Sequence, residues 1–315
     1  MIEKCKSCGN KLIYLKKFNN YKFTSFNISS YKKINLKLIF FVCRNCALVQ
    51  LKKNFSLNEK KYIKEFIQKE PESHLDKIVK KILDLKINKK TKILGLSYKD
   101  ESLIQKLKKA GYKNSKIINF NILNKKSYVC FENIDFFTNK KIATIYAKKI
   151  GKANMIISRH FFEHNFSIRS FFNFVKILLD KKKRAFLLLE MPDSYKQLNN
   201  NDYSMIWEQH KIYPTKFTLK NILKLNNFSE KFSHIAKYKY EDCLVSFSEL
   251  KAKLNKKYLK TDKKQIQSEI NMAKNYFKIF NKLKYKIGNR LKKISSNKKI
   301  YFYGAGHQTI SFLNI

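Results

Sequence analysis

The chain has 315 residues, with a formal charge of +45 and 44% hydrophobic residues. This is long enough for two or three domains with a real core, and too apolar for a disordered chain. The excess charge is nearly all lysine and lies along the whole sequence beside abundant Asn, Ile, Phe and Tyr. Such a pattern fits a solvated lysine coat and A/T-rich coding better than a nucleic-acid groove, which would gather its charge in one place.

The N-terminus, "MIEKCKSCGNKL", lacks the apolar core of a signal peptide. No apolar run reaches membrane-spanning length; "LKLIFFV" has the length of a strand. A cytoplasmic protein that does not contact the membrane is expected, and a chain this long with six cysteines is no disulfide scaffold. Residues 1–56 are organised by two C-x-x-C pairs, Cys5/Cys8 and Cys43/Cys46, with strand-like pieces between them. Each pair holds two corners of a tetrahedron from one tight turn, so a structural zinc site is expected; a redox pair is the alternative. Cys130 and Cys243 read as core residues.

Residues 57–90 form a helical connector interrupted at Pro71. Residues 91–235 then alternate. "KILGLS" reads as a strand, "DESLIQKLKKAGY" as a helix, "KIINFN" as a strand and "NKKIATIYAKKIG" as a helix. "ANMIISRH", "SIRSFFNFVKILLDK" and "RAFLLLEMP" continue as strand, helix, strand. This is the signature of an α/β fold, a parallel sheet with crossover helices. Ligands bind such sheets beyond the carboxyl ends of the strands. That rim takes in Leu96 to Asp100 after the first strand, Asn119 to Asn121 after the second, Ser158 to His164 after the next, with Arg159 on the cofactor side, and Met191 to Asp193 after the last. Residues 236–315 read as a lysine-rich helical linker, then "KKIYFYGAGHQTISFLNI": the strand, Gly-x-Gly turn and helix that begin a further, incomplete α/β domain.

The first turn carries one glycine, Gly95, with Ser97 where close backbone approach favours glycine. Asn119 and Asn121 stand where a carboxylate would grip a ribose diol. In "SRHFFEH", His160, Glu163 and His164 fall within five positions. They read as a metal site lacking a further ligand, as a polar helix start, or as a loop facing a ligand. "YSMIWEQHKI" holds the only tryptophan, Trp207, beside Glu208, Gln209 and His210. His307 opens the helix after the last Gly-x-Gly turn, where a phosphate can sit.

Taken in order, "FFVCRNCALVQL", "KANMIISRHFFEHN", "LLLEMPDS", "IWEQHKIY" and "YFYGAGHQTISFLNI" resemble the S-adenosylmethionine (SAM)-dependent sugar C-methyltransferases. The resemblance runs over essentially the whole chain. It implies a small N-terminal zinc-binding domain, a class I Rossmann-like methyltransferase core and the start of a truncated C-terminal Rossmann-like domain. Completing that last domain would take roughly 90 further residues, since domains commonly need about 100.

The resemblance also implies SAM as cofactor and a nucleotide-linked sugar as substrate. His210 matches the family's general base, and Gln209 falls where a carboxylate would orient it. Trp207 takes the aromatic position, Glu208 lies one position away, and His164 lies on the substrate side. Tyr62 and Tyr213 fall in stretches that supply substrate-side tyrosines. Tyr213, His164 or a lysine would stabilise the enolate. Of the family's first motif, Glu-x-Gly-x-x-Asp-Gly, only Asp100 survives. Two further readings stand beside this one: a relative that keeps sugar-nucleotide or partner binding without catalysis, and a basic zinc-ribbon protein that binds RNA.

Overall fold

The computed structural model describes residues 4–22, 35–52, 71–118, 138–253, 262–302 and 307–314. Tyr62, Asn119, Asn121 and Cys130 lie outside them, as do the Gly-x-Gly turn and the expected helix before Pro71.

Two sheets organise the chain. The first is antiparallel, in the order β1 (Leu12–Lys22), β2 (Asn35–Cys43), β3 (Val49–Leu51), β8 (Ile212–Tyr213). The second has six strands. In chain order they are β4 (Ile93–Gly95), β5 (Ser115–Ile117), β6 (Met155–Arg159), β7 (Phe186–Pro192), β9 (Phe228–Ala236) and β10 (Cys243–Leu250). They lie side by side as β5-β4-β6-β7-β10-β9. β5, β4, β6 and β7 are parallel. β10 runs antiparallel to both β7 and β9. A mostly parallel sheet with one reversed strand, β10, between β7 and β9 is the Rossmann-like α/β arrangement expected from the sequence. The sheet runs on to Leu250, past residue 235, because β10 pairs along the whole of β7.

The strands alternate between two apolar faces, as their pleat requires. Ile93, Met155, Ile157, Phe186 and Leu188 pack under α1 (Leu75–Asp84) and α2 (Glu101–Lys109). Leu94, Ile156, Leu187 and Leu189 face the other way. They pack under α3 (Lys140–Ile150), α4 (Ile168–Leu178) and α6 (Lys216–Leu225). Short polar caps start these helices: Asn139 accepts from the Ile142 amide at 3.0 Å, and Ser167 from that of Ser170 at 3.2 Å.

Between the sheets and beyond them lie α5 (Ser194–Asn200), α7 (Lys263–Ser295) and α8 (His307–Asn314). The first half of α7 buries Ile270, Tyr276, Phe277 and Phe280 against the antiparallel sheet, where Phe18 and Phe40 meet them ring to ring. Residues 299–302, expected to begin a strand, join no sheet, because no described strand lies beside them to take up their backbone groups. No helix among the described residues is long and apolar enough to cross a membrane.

Candidate active site and metal centre

The four N-terminal cysteines converge. Sγ of Cys5 lies 3.6 Å from that of Cys46, and Sγ of Cys8 lies 3.4 Å from Cys43 and 3.7 Å from Cys46. A disulfide would need about 2 Å. A tetrahedron of thiolates around zinc, at about 2.3 Å per bond, has edges of about 3.8 Å. The spacing therefore suits a closed metal site with no position open to water.

The two knuckles are built alike. The Gly9 amide donates to the Cys5 carbonyl and the Ala47 amide to that of Cys43, at 2.9 and 3.1 Å. Gly9 and Ala47 both take positive φ, 73° and 60°, to make the turn. The amides of Ser7 and Asn45 and the side-chain amide of Gln50 donate to cysteine sulfurs, which favours thiolate.

At the carboxyl rim of the parallel sheet, the turn after β4 is filled by its own acid. Asp100 is fully buried. One carboxylate oxygen accepts from the amides of Leu96 (2.6 Å) and Ser97 (2.8 Å), the other from the amide of Arg159 (2.8 Å). Burial pushes this carboxyl up to about 7, against the three amides, which favour the ionised form. Gly95 is glycine for packing: a Cβ there would meet Asp100 Cβ and Ile104 Cδ1, each at 2.8 Å.

Arg159, expected on the cofactor side, is committed below the rim. Its Nε and Nη2 form a fork onto Glu190 (2.8 and 2.9 Å), and Nη1 reaches Glu72, the Lys99 carbonyl and Ser102. Glu190 also has His160 Nε2 at 3.2 Å and His74 Nε2 at 3.3 Å, and His74 Nδ1 meets Tyr238 Oη at 2.6 Å. Glu190 is fully buried, and its pKa lies well below the usual carboxylate value: these partners outweigh the desolvation that opposes them. The sequence reading missed Glu190 and His74 as a pair. The available signal was one carboxylate inside the apolar run "FLLLEMP", which is tolerated only with a buried cation.

His160 links this network to the next. It is held at φ 45°, an uncommon backbone for a residue with a Cβ, with its amide on the Glu190 carbonyl at 2.8 Å. Its Nδ1 lies 3.7 Å from Glu163 Oε1.

Beyond it the expected catalytic residues come together. The Lys211 amide donates to the Glu163 carbonyl at 2.8 Å, which ties the segment after β6 to the segment before β8. His164 and His210 meet edge to face at 5.0 Å, and Trp207 closes on them at 5.8 and 4.7 Å. His164 Nδ1 is 3.1 Å from the Gln209 carbonyl, so that nitrogen carries the proton and donates. Burial first, then the positive charge of His210, Lys99 and Lys211, holds the His164 pKa well below 6.5. Glu208 and Gln209 are buried in the same turn. The Tyr213 hydroxyl is taken up within its own loop. It donates to the Trp207 carbonyl (2.8 Å) and accepts from the Trp207 amide (3.2 Å), closing the loop that carries His210. His307 begins α8, apart from this cluster in the chain.

No protein-family model matches this sequence, and no curated relative matches it. Solved structures do. Magnesium protoporphyrin IX methyltransferase from Synechocystis PCC 6803 matches at 11% identity and a TM-score of 0.37, over 57% of this chain and 83% of that one. A SAM-dependent methyltransferase from Aquifex aeolicus matches at 11% identity and 0.33, over 58% and 100%. Another, from Archaeoglobus fulgidus, matches at 13% and 0.32, over 56% and 94%. At this level of identity and TM-score the likeness carries no argument about activity.

Proposed function

We propose that this chain is a SAM-dependent methyltransferase that methylates a carbon of a nucleotide-linked sugar, with His210 as the general base and a structural zinc ion on Cys5, Cys8, Cys43 and Cys46. The observation that carries the reading is the His164–His210–Trp207 cluster, buried at the carboxyl rim of the parallel sheet. The order of the sequence motifs supports it.

The β4 turn fits SAM better than a dinucleotide. Two of its amides are taken by Asp100, which weakens any grip on a diphosphate. SAM has no phosphate to hold there; when bound it supplies an electrophilic methyl on a sulfonium. His210 would take the proton from the carbon beside a keto group, since imidazole works near neutral pH without adjustment. His164, neutral and with its Nδ1–H held by the Gln209 carbonyl, would accept a hydrogen bond from a substrate hydroxyl at Nε2. Trp207 would wall the site from water. The chain would act in the cytoplasm on a soluble sugar nucleotide, not on nucleic acid.

Calorimetric titration of the full zinc-loaded chain with SAM and with its demethylated product tests the reading. Micromolar binding is expected. A folded chain that binds neither would leave the sheet as a scaffold and favour the reading without catalysis.

A further inference from the structure

We propose that Glu163, His164 and His210 form a second metal site, for a first-row divalent cation such as Zn2+, Fe2+ or Mn2+. One ligand atom from each lies within 4.8 Å of the others, and all three residues are buried. The sequence shows His160, Glu163 and His164 within five positions, with no further ligand nearby. The fold brings His210 to them from the segment before β8.

Three features point to a cation. Glu163 is 1% exposed, and neither of its carboxylate oxygens has a hydrogen-bond partner among the described residues. His160 Nδ1 at 3.7 Å is too far for one. A buried carboxylate in that state costs several kcal/mol unless a cation compensates it. Secondly, His164 donates Nδ1–H to the Gln209 carbonyl, which makes Nε2 the nitrogen that carries the ring's lone pair. Metal-bound histidines are almost always held this way. Thirdly, the backbone is already clamped, by the Lys211 amide on the Glu163 carbonyl. Lys211, the buried cation next in sequence to His210, donates its Nζ to the Glu208 carbonyl at 2.5 Å.

Two imidazoles and one carboxylate are the three protein donors of many catalytic zinc sites and of non-haem Fe(II) sites, with positions left for water or a substrate oxygen. Bond lengths of about 2.0–2.2 Å would put the ligand atoms of a tetrahedral site about 3.5 Å apart, inside the 4.8 Å within which these three lie. The other buried cluster, His74, Glu190 and Cys243, is not comparable, because Glu190 is already held by the Arg159 fork. A metal-bound His210 is not a free base, so the cation and the proton compete for one imidazole. The site itself does not depend on methyl transfer, and its test needs no SAM.

The test is metal content and Co2+ spectra of the full chain after stripping and reloading, for the parent protein and for Glu163→Gln and His210→Ala. The parent is expected to bind two ions. One would show thiolate-to-cobalt charge transfer from the cysteine cluster, and the other only weaker d–d bands. Each variant is expected to bind one ion, with the charge-transfer band unchanged; that band and the thermal transition report that the variant is folded. One ion per parent chain, or two in both variants, would overturn the proposal. Either result leaves the SAM titration to be judged separately.

Discussion

Arg159 and Glu190 are a buried fork-to-fork pair, and the cost of breaking it exceeds the value of making it. Arg159→Met is expected to destabilise the chain by about 3–5 kcal/mol, since it strands the Glu190 carboxylate. Denaturant melts of the two proteins would show this as a lower midpoint at constant slope. Two buried groups contribute to the loss of stability on the acid side. His164 has a folded pKa below its unfolded 6.5, so its contribution is full above that value and declines as pH falls below it. Glu190 has a folded pKa below its unfolded value, so its contribution is present above about 4.3 and is lost as pH falls through the folded value. Asp100, raised to about 7, acts in the opposite sense between about 4 and 7, so the check is a difference: the melting temperature of the parent minus that of His164→Gln should decline as pH falls below 6.5. For catalysis, His210→Gln is expected to lower kcat by roughly 10²–10⁴ while SAM affinity holds, as loss of a general base does. An unchanged kcat in that variant would remove His210 from the mechanism.

At the scale of elements, the β4–α2 connection shows why a single glycine suffices. Gly95 lets α2 approach the strand, and Asp100 then caps three amides from inside the turn. Gly95→Ala should cost about 1–3 kcal/mol through overpacking, read by chemical denaturation. The alternation of strand and helix from residue 91 was legible in the sequence because apolar period and helix caps agree there. The rim was legible for the same reason, as it follows from where parallel strands end. What the periodicity hides is the destination of side chains at that rim. Asp100 and Arg159 turn inward to satisfy backbone and carboxylate, and the Tyr213 hydroxyl closes its own loop. Buried polar groups take the nearest partner, and nearness in space is not written in spacing.

Across the whole molecule, the two sheets are joined through shared pieces. β8, which follows the His210 loop, pairs with β3 of the cysteine-bearing sheet, and α7 packs on that sheet's other residues. Removing the metal from the cysteine cluster should therefore weaken the whole chain. A chelator is expected to lower one thermal transition by several degrees. A separate early transition for the antiparallel sheet, seen by calorimetry, would show that the two parts melt independently.

The sequence by itself determined the α/β class, the alternation of strands and helices from β4 to β7 and the two knuckles, because each depends on local period, turn chemistry or short spacing. It also marked His164 and His210 as reactive types in suggestive places. Only the tertiary structure decided that these two rings meet, that Glu163 joins them with no hydrogen bond to its carboxylate oxygens among the described residues, and that His160 bridges them to Glu190. Those contacts join β6, β7 and the segment before β8. They exist only once the sheet has brought its carboxyl ends together and packing has forced each buried charge to find a partner.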